Sequence, residues 1–429
     1  MAKSAEELYN EREKRIQGAS QLKKPDRVPI MPFDTGWRYK YMDMTFEEAH
    51  YDYAKCHEAI KKSVTDIQFD AFTPSLDNSG IVYDLLDFRQ IKWAGAKREK
   101  SRVRPRSMFQ FVEPNTEYEG MSAEDYDWFL DDPGDYIMRK HIPNLCAALA
   151  PLKTFPPLHC MSSYYFGLME TLAHIGSPEG IEAFERLLEA GKEAHKWFVA
   201  TVGMLKEMNA LGFPCIAHGF TIAPYDYFAD LFRGTRGSML DMYRIPDKLK
   251  KACERVTPWL IEWGIHANKA FCDVTGVENK RVQIPIHKAA GGFMSEKQHQ
   301  EFFWPTLREV ILGLIDAGLT PYVYTEGVYT ERLPAIKDVP EGKVIYNVEV
   351  DIFEAKKILG DTACIVGGPP ASIMNTGTPE DVKEYCKKLI DVCGDGGGFI
   401  MGVQLPLLTD KVENVRALVD FTKEYGVNK

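Results

Sequence analysis

The chain lacks several features that would place it in a class at once. No apolar run approaches 18 residues, so no segment reads as a membrane span. The opening segment, MAKSAEELYNEREKRIQ, is charged and helix-prone, without the apolar stretch of a signal peptide. The nine cysteines are odd in number and scattered, and no two form a CxxC pair. That usage suits a reduced, cytoplasmic protein better than a disulfide scaffold. Positive charge is in deficit: 52 Lys and Arg stand against 62 Asp and Glu, a formal net charge of −10. This argues against nucleic acid and against anionic membranes as partners. No GxGxxG follows a strand-like run, which removes support for a dinucleotide fold, and no HExxH marks a metal site. Repeats of 20–50 residues and low-complexity tracts are also missing.

What is present is ordinary globular usage, 45% hydrophobic and 27% charged over 429 residues, arranged in a distinctive order. From Val282 onward, five short β-prone runs alternate with helical runs: VQIPIH, PYVYT, VIYNVEV, CIVGG and FIMGV. Polar or reactive groups stand at or just beyond several strand ends: His287, Glu326, Asp351 and Gln404. Such alternation is the pattern of a parallel sheet. Three earlier runs extend it: Asp26–Phe33, Phe69–Leu76 (ending in Asp77 and Asn78) and Cys215–Phe220. Eight strands with intervening helices predict an α/β fold of the (β/α)8 (TIM) barrel kind, with active groups at the carboxyl ends of its strands. The expected organisation is one barrel domain over 1–429. Residues 1–24 form a leading helical extension, and 95–211 form a mainly helical insertion between strands 2 and 3. Within that insertion the run Leu158–Tyr165 reads as an extra strand, and helices are expected over His141–Ala150 and Pro178–Leu211.

Helix punctuation supports the late half. Ser295 and Gln298 have capping-box spacing before a helix running to Ala317, with Gly318 as its stop. Asp351 and Glu354 repeat the device, and Thr378 precedes proline and two acids in a first turn. Glu47 to Ile67 reads as one helix, and Asp410 to Tyr425 as the last.

Four stretches carry a resemblance to a known family: DRVPIMP near the start, His218–Leu249, Phe293–Ile311 and Gly377–Asp391. Together they make the chain similar to the uroporphyrinogen decarboxylase superfamily over about residues 20–426. Within it, TEGVYTERL (Thr325–Leu333) and GGFIMGV (Gly397–Val403) most resemble corrinoid-dependent methyltransferases, in particular the ether-cleaving first component of anaerobic O-demethylases. The resemblance implies a (β/α)8 barrel, in agreement with the independent strand count. The decarboxylase proper has an arginine-rich segment near its first strand; here that region reads FDTGWRYKY, with Arg38 and Lys40 but without the motif. Thiol-methylating relatives hold zinc with an HxC pair and a later cysteine. In this chain the pair's place is taken by Tyr324, Thr325 and Glu326, and the eighth strand ends in Val403, Gln404 and Leu405. Losing soft ligands argues against a thiol substrate.

The resemblance therefore implies transfer of a methyl group from an aryl methyl ether to cob(I)alamin. The cobalamin would ride on a separate corrinoid protein, since the chain has no DxHxxG motif. A phenolate, whose acid has a pKa of about 10, leaves more readily than an alkoxide. Glu326, ending a barrel strand, is the expected acid for the leaving oxygen, its pKa raised by burial. A fixed ion pair with Arg332 or Lys288 is the structural alternative. His287 is the second catalytic candidate. His218, Tyr225, Asp226, Tyr324 and Glu349 are candidate substrate-binding residues, with Tyr227 in the same aromatic wall. Zinc stays open, with Glu326 and His287 as ligands and Glu349 as a third. Asp351 reads as a helix cap, Cys364 as core, and Arg233, Arg236 and Arg244 as ion-pair partners of Asp230 and Asp241. Other corrinoid methyl transfers (from an amine, an aliphatic ether or a thiol), a decarboxylase-like lyase and a non-catalytic module are the alternatives. A homodimer is left open.

Overall fold

A computed structural model describes residues 3–75 and 77–427 of the chain. Its first helix, Ala5–Ser20, begins at a capping box in which Ser4 and Glu7 satisfy each other's backbone N–H groups. The helix is pinned by its arginines: Arg12 donates to the Gly212 carbonyl at 2.6 Å, and Arg15 pairs with Asp26 and Asp70. Glu13 reaches Arg281 at the start of a central strand. The leading helix thus lies across the amino-terminal end of the sheet, opposite the strand ends that carry the polar groups.

A small sheet comes next, made of β1 (Ile91–Ala94), β2 (Arg102–Val103) and β3 (Gln110–Phe111). The main sheet has six strands: β4 (Gly219–Phe220), β5 (Arg281–Ile286), β6 (Thr320–Thr325), β7 (Ile345–Val348), β8 (Cys364–Gly367) and β9 (Phe399–Met401). They pair in sequence order, and every pairing is parallel. Helices Pro246–Thr275, Trp304–Asp316, Leu333–Ile336, Ile352–Leu359 and Pro379–Leu389 make the crossovers, and Val412–Tyr425 follows the last strand. All residues of β7, β8 and β9 are buried, as expected for strands covered on both faces.

The eight-stranded closure expected from the sequence is not reached by strands. Asp26–Phe33 and the described part of the second run, 69–75 (Leu76 lies outside the described residues), contribute isolated bridges instead, Arg27 to Val427, Ile30 to Met401 and Phe72 to Cys215, besides one from Asp34 to Leu407. Backbone bonds run from Met31 N–H to the Met401 carbonyl at 2.8 Å and from Asp70 N–H to the Ile30 carbonyl at 2.9 Å. Proline explains why these ladders do not propagate. Pro29, Pro32 and Pro74 have no N–H to give, and the Ile30 N–H is taken by the Asp70 side chain at 2.8 Å.

Three further expectations change. Leu158–Tyr165 is no strand: Leu158–Ser162 winds as a 3₁₀ turn after Pro156 and Pro157. The stretch Glu47 to Ile67 is two helices, Phe46–Tyr51 and Tyr53–Ile67, parted at Asp52, whose side chain caps the second. The helix after Ser295 starts on its expected capping box but passes through a π-helical segment, His299–Phe303. The small sheet begins just before the insertion, at Ile91, and its other two strands precede the insertion's helices, the longest of which is Pro178–Ala210. No helix among the described residues is long and apolar enough to cross a membrane.

Candidate functional site

The carboxyl ends of β5, β6 and β7 open onto a cavity of about 570 Å³. Its apolar wall includes Phe33, Met108, Phe109, Phe220 and Tyr324, with Leu405, Pro406 and Leu408 from the loop after β9. Its polar lining is His287, Glu326, Glu349, Gln283, Thr35 and Asp77. Strand alternation accounts for much of this: Gln283 and Pro285 on β5 point to one side with His287 just beyond, and Tyr324 on β6 points there with Glu326.

His287 is the best-anchored of these groups. Its Nδ1 lies 2.7 Å from the Asp230 carboxylate, and its Nε2 lies 3.5 Å from Glu326. The backbone that carries it is fixed from behind. Asp226 accepts the N–H groups of His287 at 2.8 Å and Lys288 at 3.0 Å. Both aspartates come from the turn after β4: Pro224–Asp226 opens a helical turn, and the π-helical segment Tyr227–Arg233 continues it, so that the pair faces the β5 end together. Burial would lower the His287 pKa, but the Asp230 hydrogen bond and the charges of Asp226, Asp230 and Glu326 outweigh it and lift it to about 9. At neutral pH the ring is therefore an imidazolium, donating to Asp230 on one side and carrying a second N–H on Nε2. Burial and the neighbouring Asp230 charge push the Asp226 carboxyl upward. Lys288 completes the charge balance, reaching Asp230 at 3.2 Å and Glu113 at 3.0 Å.

Glu349 is held differently. It accepts a short hydrogen bond from the Tyr324 hydroxyl and one from the Gly327 N–H at 2.7 Å. Gly327 sits at φ +93°, a conformation that favours glycine, and so turns its N–H toward the acid. Burial raises the Glu349 pKa. The Tyr324 ring packs on Phe33 with centroids 5.1 Å apart.

The expected residues thus divide. His287, Glu326, Tyr324 and Glu349 line one cavity. His218, Tyr225 and Asp226 do not. His218 is buried beside Cys272, its Nδ1 3.6 Å from the sulfur, and burial holds its pKa down at about 4. Tyr225 is buried against Phe303. Asp226 is fully buried behind His287 and acts on its backbone. Tyr227 packs against Phe228 and Phe232 rather than in the wall. Glu326 departs from expectation in another respect: its side chain is 59% exposed rather than buried. The ion-pair alternative is also not what forms, because Arg332 pairs with Glu296 and Lys288 with Glu113 and Asp230. Gln404 is not in the lining. Asp351 caps the helix Ile352–Leu359, Cys364 is core, and Arg233 pairs with Asp241. Asp230 does not take an arginine; it holds His287.

Sequence reasoning missed Asp230 as the partner of His287, Asp77 as a lining acid, and Phe109 and Met108 as parts of the wall. Their signal was faint. Asp230 lies 57 positions from His287 in a run read for its arginines, and Met108–Phe109 lies in the expected insertion, away from any strand end.

For zinc the donor set does not fit. Among the described residues the one grouping of three metal-type side chains is Asp226, Asp230 and His287. Both of its carboxylates are already engaged, by backbone N–H groups and by the Lys288 ammonium at 3.2 Å. Glu326 and His287 give two ligands, where a catalytic zinc takes three from the protein, and Glu349, the expected third, is held by the Tyr324 hydroxyl and the Gly327 N–H and does not group with them. A larger cavity of about 800 Å³, lined by Glu113, Arg233, Thr235, Arg236 and Phe293, contains none of the strand-end groups. The convergence of polar groups, not size, places the candidate site in the smaller one.

Comparison with known proteins agrees with this architecture. No curated protein sequence matches the chain. Among 39 matching solved chains is a methyltransferase from Methanosarcina mazei, similar at a TM-score of 0.59 and 15% identity over 96% of this chain and 98% of that one. That likeness is one of fold. The uroporphyrinogen decarboxylase (URO-D) profile matches residues 171–425, more than half of the chain and all six strands of the main sheet. The chain belongs to the uroporphyrinogen decarboxylase family.

Proposed function

We propose that this protein is a corrinoid-dependent methyltransferase, the ether-cleaving component of an O-demethylase. It takes the methyl group of an aryl methyl ether and passes it to cob(I)alamin on a partner corrinoid protein. The observation that carries the reading is the composition of the cavity. An aromatic wall of Phe33, Phe109, Phe220 and Tyr324 suits a ring, and beside it stands the charged His287, whose Nε2 lies at the cavity side 3.5 Å from Glu326.

The chemistry follows from the geometry. Held by the partner, cob(I)alamin would supply the nucleophile for the methyl carbon; what falls to this chain is to orient the ether and to receive the electron pair left on its oxygen when the carbon–oxygen bond breaks. His287 gives its Nε2 proton to that oxygen. With the ring near pKa 9 and the phenol near pKa ~10, transfer to the phenolate is downhill by about one unit, so the acid is matched to its task. Asp230 keeps the ring oriented and stabilises its charged form. Glu326, at 3.5 Å, adds a negative charge at the cavity side of the ring. The exposed apolar side chains of Phe220, Val328 and Leu405 give the mouth a surface on which a partner can seat.

The family also includes decarboxylation of tetrapyrroles, and that reading needs cations for the substrate's carboxylates. Arg38 is buried against Asp34 and the Thr73 carbonyl, and Lys40 is tied to the carbonyls of Thr409 and Asp410. Neither lines the cavity. Anaerobic incubation with cob(I)alamin and a panel of methoxyarenes, methylamines and thiols tests the proposal. Methylcobalamin absorbance rising with a methoxyarene is the expected result. A rise with amines or thiols alone, or coproporphyrinogen formed from uroporphyrinogen, overturns it.

A further inference from the structure

The charges around the cavity are one-sided. Three carboxylic acids line it (Asp77, Glu326 and Glu349), and no lysine or arginine does among the described residues. The single basic group, His287, already has Asp230 at 2.7 Å, Asp226 on its backbone and Glu326 at 3.5 Å. The nearest arginine on the Asp77 side, Arg38, is buried and spent on Asp34 at 3.0 Å. Asp77 is itself buried, accepts the Tyr39 hydroxyl at 2.6 Å and lies 3.7 Å from His50 Nε2.

From this we infer that the site selects its substrate by charge: it takes neutral methoxyarenes and rejects those bearing a ring carboxylate, with Asp77 and Glu349 as the determinants. The inference rests on the aryl ether reading and names the substrate class more narrowly. A benzoate entering this cavity leaves water without gaining a counter-charge. Burying an unpaired carboxylate is strongly unfavourable, and any neighbouring acid that is ionised adds repulsion. If Asp77 and Glu349 are protonated instead, they still offer no cation, so the rejection does not depend on their state. A neutral ring loses little hydration and gains the aromatic wall. A ring hydroxyl has a ready acceptor in Asp77.

The experiment is a binding titration at pH 7 of the purified full chain with 1,2-dimethoxybenzene and with 3,4-dimethoxybenzoate, two ligands that differ by one carboxylate. The neutral compound should bind at least tenfold more tightly. Leu405→Lys, at a position 44% exposed on the cavity rim, places a cation at the mouth without disturbing the core. Because Leu405 belongs to the wall that both ligands touch, the readout is the ratio of the two affinities, which should move about tenfold toward the benzoate. Equal or tighter binding of the benzoate to the wild type overturns charge selection while leaving the aryl ether reading in place. Binding of neither compound overturns both. Tetramethylammonium binding more tightly than dimethoxybenzene would overturn the neutral class in favour of a cationic donor.

Discussion

Residues 281–425 and residues 91–210 contribute to the same cavity by opposite routes. In the first, each strand is short and parallel to the last, and β5, β6 and β7 deliver their downstream residues to one place; His287, Glu326 and Glu349 arrive together because their strands do. In the second, a small sheet and a series of helices, one of them 33 residues long, share the main core through side chains such as Met121, Phe129 and Met204, yet among the described residues only Met108 and Phe109 reach the cavity, while Glu113 reaches Lys288. The insertion also leaves large apolar side chains in the open, including Tyr164, Tyr165 and Phe166 at 72%, 68% and 83% exposure. Regular alternation positions chemistry through the backbone; the insertion does so through a few side chains that fold over. The former tolerates change in its loops, and the latter does not depend on register.

The comparison breaks most sharply at His287. Replacing it by glutamine keeps a polar side chain but removes the proton, and kcat should fall about 10²- to 10³-fold. Glu326→Gln, at an exposed position, should cost only a few-fold. If the two effects are reversed, the acid is Glu326 and the strand-end geometry has been misassigned. Asp230→Asn should have the next largest effect, and one that depends on pH. Removing the Asp230 bond lets burial lower the His287 pKa, so the basic limb of the rate profile should move down from about 9 toward neutrality. Activity at pH 8 should drop about tenfold, with that at pH 6 largely kept. The sign for stability is fixed by the same shift. A histidine raised above its unfolded value of about 6.5 stabilises fully below that pH, and the contribution is lost as pH rises through about 9. Wild type should therefore lose thermal stability between pH 7 and 9 relative to His287→Gln; parallel curves would show that the ring is not charged.

How much of this was legible in the sequence follows from the same contrast. The run from Val282 could be read because period and punctuation coincide: β-prone runs of five to seven residues, helix caps at Ser295 and Asp351, proline after Thr378, and glycine stops. Strand ends then named His287 and Glu326 by position, together with Asp351 and Gln404, which lie outside the lining. The two N-terminal segments were legible as buried but not as bridges, because hydrophobicity does not reveal that Asp70 would take the Ile30 N–H. His218 was misplaced for a related reason. It stands one residue before a two-residue strand, so alternation over so short a run could not fix which side it faces, and it packs toward Cys272. Asp230 and Phe109 were illegible as site residues because neither sits on a periodic element.

A smaller effect sharpens the role of the insertion. Phe109→Ala removes part of the aromatic wall without touching a proton donor. KM for a methoxyarene should rise about tenfold, in line with the loss of one partly buried aromatic contact, while kcat changes little. A fall in kcat with KM unchanged would mean that Phe109 acts on the reacting geometry rather than on ring binding.

The smallest expected effect belongs to the exposed face of the same insertion. Phe166 is 83% exposed, so Phe166→Ser removes almost no buried area, and the stability of the isolated chain should change by no more than ~0.5 kcal/mol. Its kcat should be unchanged too, since no lining residue lies in 158–172. The pair Phe109→Ala and Phe166→Ser therefore separates the two faces of one segment, the first seen in KM at constant melting temperature and the second in neither. A drop of several degrees in melting temperature for Phe166→Ser would mean that the ring is covered in solution, and the contrast between a working inner face and an idle outer one would fail.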